Sequence, residues 1–301
     1  MQTAEIKSAI ITTLAYFDVF DYPLTYPELF RYLWRSPHTT LPEVIQMTKQ
    51  LDQVIEQDGF VMFKDRSNLA RLRHQRYVES EWKWNKRRWF IKLLSYLPGV
   101  EAILIVNTFA YHNVGPNSDI DLLIIARPKS IWAVRFFTTL LAKLLNVRPK
   151  PNKTKDAVCL SFYVTPNGLL KLPSIRLNDN DQLEAYWLAQ AMPVYDPNGY
   201  AKQMANSEWL MAVLPNNQPM LQHPNRTVRH TWVHTISHAV GYVLLWNTVL
   251  KKIQLWIMPK RLKELSGPLE TSLVVLTDDV LKFHTRDPRR YSRYGARNSM
   301  V

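Results

Sequence analysis

The sequence predicts an α+β chain: a small mixed sheet with helices, preceded by a three-helix unit with a hairpin and followed by a helical region. Three observations predict it. Two β-branched and leucine-rich runs, residues 102–106 and 122–125, flank the turn formers Gly115, Pro116, Asn117 and Ser118, as strands buried on both faces do. Apolar residues recur at helical spacing on either side of that unit. Hydrophobic content of 47% and charged content of 21% over 301 residues are globular values, with enough chain for two or three domains. The expected division is 1–68, a long connecting helix over 69–98, the sheet unit over 99–190 and the helical region over 191–301.

Residues 4–20 read as an amphipathic helix, with Ile6, Ile10, Leu14 and Phe17 on one side. Asp21, Tyr22 and Pro23 stop it. Thr25 with Glu28 three residues on is a capping box for a second helix, and Leu24 is placed to staple against Leu29. Thr40 and Glu43 repeat the device for a third helix over 41–57, with Val44, Met47, Leu51, Val54 and Ile55 as its buried stripe. Asp58-Gly59 turns the chain into a short strand over 60–63. Three helices and a small hairpin resemble a winged helix. The third helix carries Glu43, Lys49, Asp52 and Glu56, and phosphate contact needs Lys and Arg instead. A scaffold or protein-contact role is expected ahead of DNA reading.

Positive charge gathers over residues 69–97, which read as one helix. Arg71, Arg73, Arg76, Lys83, Lys86, Arg87, Arg88 and Lys92 stand against Glu79 and Glu81, with Trp82, Trp84 and Trp89 interleaved. Cations among aromatics suit single-stranded nucleic acid, so Arg71, Arg73, Arg76, Arg87 and Arg88 mark a candidate nucleic-acid surface. The alternative is tryptophans packed between domains with the cations in water. A net charge of +13 favours polyanion partners in general.

At the head of the second central strand stand Asp119 and Asp121. Residues two apart on a strand share a face, so the carboxylates point the same way. Like charges on an apolar strand repel and are costly to desolvate, and a hard divalent cation removes that cost. A strand, a ten-residue spacer after Asn107-Thr108, and then Asp119-Ile120-Asp121-Leu122 resemble the nucleotidyltransferase superfamily typified by DNA polymerase β. The segment AYFDVFDYPLTYPEL is similar to an uncharacterised bacterial nucleotidyltransferase-like group. The resemblance implies Mg²⁺ on Asp119 and Asp121, a nucleoside triphosphate as donor and a hydroxyl as acceptor. It assigns nucleotide contacts to Asn107, Thr108 and Ser118. The family has Gly-Ser where this chain has Asn107-Thr108. It also keeps a third carboxylate on a later strand, here residues 157–164, whose polar mid-strand residue is Ser161. Asp156 at its mouth, or Asp179 and Asp181 further on, are the loop carboxylates that could stand in. The alternatives are a catalytically degenerate nucleotide-binding or scaffold protein on the same fold, or a nucleic-acid-binding regulator using the winged helix and the Trp/Arg-rich segment.

After the second strand a helix is expected over 130–146, and then a basic loop of Arg148, Lys150, Lys153 and Lys155 placed to steer a triphosphate; Lys153 is the nucleotide contact chosen there. Beyond Pro173 the chain reads as helical: 181–191, 199–214 and a long helix over 227–265 interrupted at Pro259. His230, His234 and His238 share one helical face, read as stacking on a partner helix ahead of metal binding. The basic tail over 286–297 is expected to fray. Cys159 alone argues against a disulfide framework and fits a reducing cytoplasm. No signal peptide is visible, and no apolar run reaches membrane-spanning length, so a soluble cytoplasmic protein is expected.

Overall fold

The computed structural model of the chain describes residues 2–150, 154–175, 180–220, 223–244 and 246–283. Helix α1, Gln2–Val19, buries Ile6, Ile10, Leu14 and Phe17 as their spacing dictates. Helix α2, Tyr26–Arg31, opens on the Thr25 box, where the Thr25 hydroxyl accepts from Glu28 N at 3.3 Å and the Glu28 carboxylate accepts from Thr25 N at 2.9 Å. Helix α3, Leu41–Lys49, opens with Glu43 accepting from Thr40 N at 2.7 Å. It stops eight residues short of the expected end at 57. Residues beyond it form β1, Val54–Gln57, paired antiparallel with β2, Phe60–Phe63. Asp58 and Gly59 both take positive φ, 53° and 79°, the geometry a two-residue hairpin turn requires. Val54 and Ile55 prolong a helical stripe in sequence, but their branched side chains find cross-strand partners here instead.

Helix α4, Leu69–Ser95, is the single long helix the sequence predicts. It delivers the chain to β3, Val100–Ile105; β4, Ile120–Ala126; α5, Ile131–Leu144; and β5, Val158–Val164. Then come α6, Pro166–Leu170; α7, Gln182–Gln190; β6, Met192–Tyr195; α8, Tyr200–Ala205; and α9, Glu208–Val213. The described chain ends with α10, Trp232–Leu244; α11, Asn247–Ile257; α12, Lys260–Glu264; β7, Val274–Leu276; and β8, Val280–Phe283.

Six strands form one mixed sheet in the order β6-β3-β4-β5-β8-β7. Only β4 and β5 run parallel, with α5 as the crossover; the other pairs are antiparallel. Alternation sorts the central strands onto two cores. Ala102, Leu104, Leu123 and Ile125 join the cluster that includes α1, α2 and α7. Ile103, Ile105, Leu122 and Ile124 join the one that includes α4 and α5. Tyr186 of α7 ties the N-terminal unit to the first face: its hydroxyl donates to Tyr32 O at 3.0 Å and its ring lies 4.3 Å from that of Tyr16.

The region beyond Pro173 is not purely helical. It supplies β6 at one edge of the sheet and the β7–β8 hairpin at the other. The expected helix over 199–214 is two, α8 and α9, and the one over 227–265 is three, α10 to α12. The basic tail and Lys153 lie outside the described residues. Among those described, no helix is long and apolar enough to cross a membrane.

Candidate metal and nucleotide site

The parallel register of β4 and β5 sets Asp121 opposite Cys159. Ligand-type atoms of Asp119, Asp121 and Cys159 all lie within 4.8 Å of one another, so the sequence-predicted carboxylate pair does converge. Burial, and then the charge of Asp121, raise the Asp119 carboxyl to about 6. Burial raises Asp121 too, against hydrogen bonds from Asn107 and Cys159 that favour its charged form. Cys159 is pushed well up, first by burial and then by the charge of Asp121, so its sulfur stays a thiol at neutral pH. The two carboxylates supply the hard oxygens a Mg²⁺-type ion takes, whereas the Cys159 sulfur is a soft donor.

Asn107 holds that geometry. Its backbone is left-handed, φ 58°, at the start of a 3₁₀ turn. Its amide Nδ2 donates to Asp121 Oδ2 at 2.8 Å, and its Oδ1 accepts from Trp187 Nε1 at 2.9 Å. An indole N–H only donates, which fixes the amide orientation and turns its NH₂ toward the carboxylate. Both ends of the Asn107 amide are therefore engaged, and the residue orients Asp121. Thr108 is half-buried in the same turn, and its carbonyl accepts from Asn113 N at 2.8 Å. Ser118 Oγ accepts from Gly115 N at 3.0 Å and closes the loop before Asp119.

None of the described carboxylates considered as the third reaches this pair. Asp156 is buried against α4, 2.8 Å from Lys83 Nζ and 2.7 Å from Lys86 Nζ. Burial pushes its carboxyl up, but the bonds and charge of those lysines outweigh this and hold it below the usual range. Asp181 caps α7 by accepting from Glu184 N. Asp179 lies outside the described residues. Ser161, half-buried on β5, lies with its Oγ 3.4 Å from the Cys159 sulfur. Sequence reasoning missed Cys159 and Trp187 as parts of the site; only strand register and the packing of α7 bring them there.

At the same end of β5, Arg87, Arg148, Lys150 and Lys155 line a small depression with Asn146, Val147 and Ala157. The expected nucleic-acid surface looks different in three dimensions. Arg73 pairs with Glu28 at 2.7 Å, Arg76 donates to Asn113 Oδ1 at 2.8 Å, and Arg87 donates to the Asp156 carbonyl. Of the five arginines, Arg71 and Arg88 are exposed.

A second trio of metal-type donors, Glu81, His112 and His223, also lies within 4.8 Å. There the buried Arg226 guanidinium supplies the positive charge, 2.7 Å from Glu81 and 3.1 Å from His112 Nδ1. His234 of the histidine row is buried, stacked on Tyr96 and Tyr195 with ring centroids 4.3 and 4.8 Å away, and bonded to Ser95 Oγ at 3.1 Å. Its ring packs against a strand of the sheet as well as against α4's end, where the sequence suggests a partner helix. Comparison with protein-family models, with curated proteins and with solved structures finds no significant match.

Proposed function

We propose that the chain is a Mg²⁺-dependent nucleotidyltransferase that moves a nucleoside monophosphate from a nucleoside triphosphate to a hydroxyl acceptor. The convergence of Asp119 and Asp121 at the head of β4, as two half-buried carboxylates with no ion pair to either among the described residues, carries the reading. Asp119 and Asp121 would hold the ion, which when bound offsets phosphate charge and orients the donor. Asn107, braced by Trp187, keeps Asp121 aimed at it. The Thr108 turn and the cations Arg87, Arg148, Lys150 and Lys155 suit the triphosphate, with Lys153 close by in sequence. The N-terminal helices and hairpin are read as a winged-helix-like scaffold, because their core is continuous with one sheet face. A reducing cytoplasm fits the thiol at Cys159.

A second reading, a nucleotide-binding protein without turnover, is favoured by Cys159 standing opposite Asp121 and by Asp156 being engaged with lysines. Thermal shift with each nucleoside triphosphate, with and without Mg²⁺, tests both readings, and pyrophosphate release separates them. Asp121→Asn gives a signed prediction. It removes one of two repelling charges while keeping an oxygen for Asn107, so without metal the variant is more stable than wild type by about 1 kcal/mol at neutral pH. With Mg²⁺ and nucleotide the order reverses, because only the wild type gains. A wild type that no triphosphate stabilises under any divalent metal would overturn both readings.

A further inference from the structure

Helix α11 is seated on the protein by its polar side. Asn247 Oδ1 accepts from Trp132 N at 2.9 Å and Ala133 N at 3.1 Å, at the first turn of α5. Lys251 Nζ donates to Asp278 at 2.7 Å. Buried Gln254 donates to Trp132 O at 2.7 Å and accepts from Arg135. Leu255 packs against the core, and five other apolar residues face outward: Trp246 is 68% exposed, Trp256 83% and Ile257 61%, with Val249 and Ile253 also exposed. At 3.6 residues per turn these five positions fall within about 100° of arc, one continuous stripe. Such a patch on a soluble surface marks a contact site.

We propose that α11 lies flat in the headgroup region of a bilayer containing anionic lipid, with its outward stripe inserted and the adjoining cations on the lipid phosphates. Two features choose a membrane over a protein groove. The stripe has tryptophan near each end, and indole rings prefer the boundary between acyl chains and headgroups. Lys252 borders the stripe, and Lys260, Arg261 and Lys263 follow it on α12, all exposed. With Lys251 held by Asp278, these four exposed cations stand against Glu264, the charge that anionic headgroups attract. No spanning helix is needed, since the stripe is a face and not a full circumference. The inference is independent of the nucleotide reading.

Co-sedimentation of the full chain with phosphatidylglycerol-containing vesicles, and with phosphatidylcholine alone, tests it. Wild type is expected to pellet with the anionic vesicles and to release as salt rises. The exposed substitutions Ile253→Ser with Trp256→Ser should lower partitioning by about tenfold or more, and Lys260→Gln with Lys263→Gln should weaken it only on anionic vesicles. An unchanged circular-dichroism melt keeps misfolding out of the comparison. Failure to pellet with either vesicle overturns the proposal. So does pelleting that survives the Ile253/Trp256 change but disappears when the chain is cut after Phe283, which would assign binding to the basic tail. Self-association abolished by the same change, without vesicle binding, would make the stripe an interface between copies and would also overturn it.

Discussion

Helices α4 and α11 are both rich in lysine and tryptophan, and the fold buries different members of that set in each. On α4 Lys83 and Trp84 turn inward, while Arg71, Arg88, Lys92, Trp82 and Trp89 stay exposed. Lys83 is fully buried, donating to Pro116 O, Ser118 O and Asp156, and Trp84 packs beneath Arg226 with its Nε1 bonded to Asn225 O at 3.0 Å. On α11 the amides and one lysine turn inward and the tryptophans turn out. Side-chain content alone does not decide which face a helix buries; the polarity of the surface that receives it does. Helix α4 meets the carbonyls of Pro116 and Ser118 and the carboxylate of Asp156. Helix α11 meets the bare N–H groups of the first turn of α5, which an Asn oxygen satisfies and an isoleucine does not.

The sharpest way to break this contrast is to remove the buried cation of α4. Lys83→Met keeps the length of the side chain but takes the Lys83 donor from Pro116 O, leaves Ser118 O with Asp156 N, and leaves the Asp156 carboxylate with Lys86. Urea denaturation should show a loss of about 3 kcal/mol or more. A loss below about 0.5 kcal/mol, the range of ordinary surface changes, would mean that Lys83 is solvated and that the inward-cation description of α4 is wrong.

A smaller effect is expected for the polar seat of α11. Gln254→Leu matches the burial but leaves Trp132 O and Arg135 without their partner, which should lower stability by about 2 kcal/mol in the same assay. If leucine is tolerated or stabilises, α11 is held by apolar contact after all, and its outward stripe loses the reason for facing water.

How far the sequence shows these features depends on the range of the interactions that make them. The capping boxes at Thr25 and Thr40, the α4 span and the carboxylate pair of β4 rest on neighbours a few residues apart, and all are legible in the chain. Strand β6 was hidden by Pro193, which reads as a breaker; it is tolerated because β6 is an edge strand with only β3 beside it. Strands β7 and β8 are three and four residues long and become strands by pairing with each other and with β5, a partner more than a hundred residues earlier. Within the site, Asp119 and Asp121 are visible because a strand alternates. Cys159 is not, because its place opposite Asp121 depends on a parallel register with an irregularity just beyond it. The orientation of α11 is hidden for the same reason: the periodicity gives a stripe, and nothing local says which side of it the protein takes.

The effect that is smallest at neutral pH, and grows only on acidification, concerns how dry the surface against α4 is, read through His112. Its ring lies tilted against that of Tyr77, centroids 4.8 Å apart, and its Nδ1 faces Ser80 Oγ at 3.3 Å and Arg226 Nη2 at 3.1 Å. Burial, then the charges of Arg226, His223 and Arg73, lower this imidazole to about 3; Glu81, 3.7 Å away, does not reverse that. In the unfolded chain a histidine titrates near ~6.5. Between those two values the unfolded state carries a proton that the folded state refuses, so stability rises with pH across this window and falls as the solution is acidified. The contribution reaches about 1.4 kcal/mol for each pH unit crossed below the unfolded value. His112→Asn, which keeps an acceptor for Ser80 and Arg226, should flatten the dependence of unfolding free energy on pH between neutrality and about pH 4 by close to one proton. Equal slopes for the two proteins would mean that the folded ring takes up the proton with Glu81 as its partner. The face of α4 would then be wet, and its contrast with the water-facing stripe of α11 would rest on Lys83 alone.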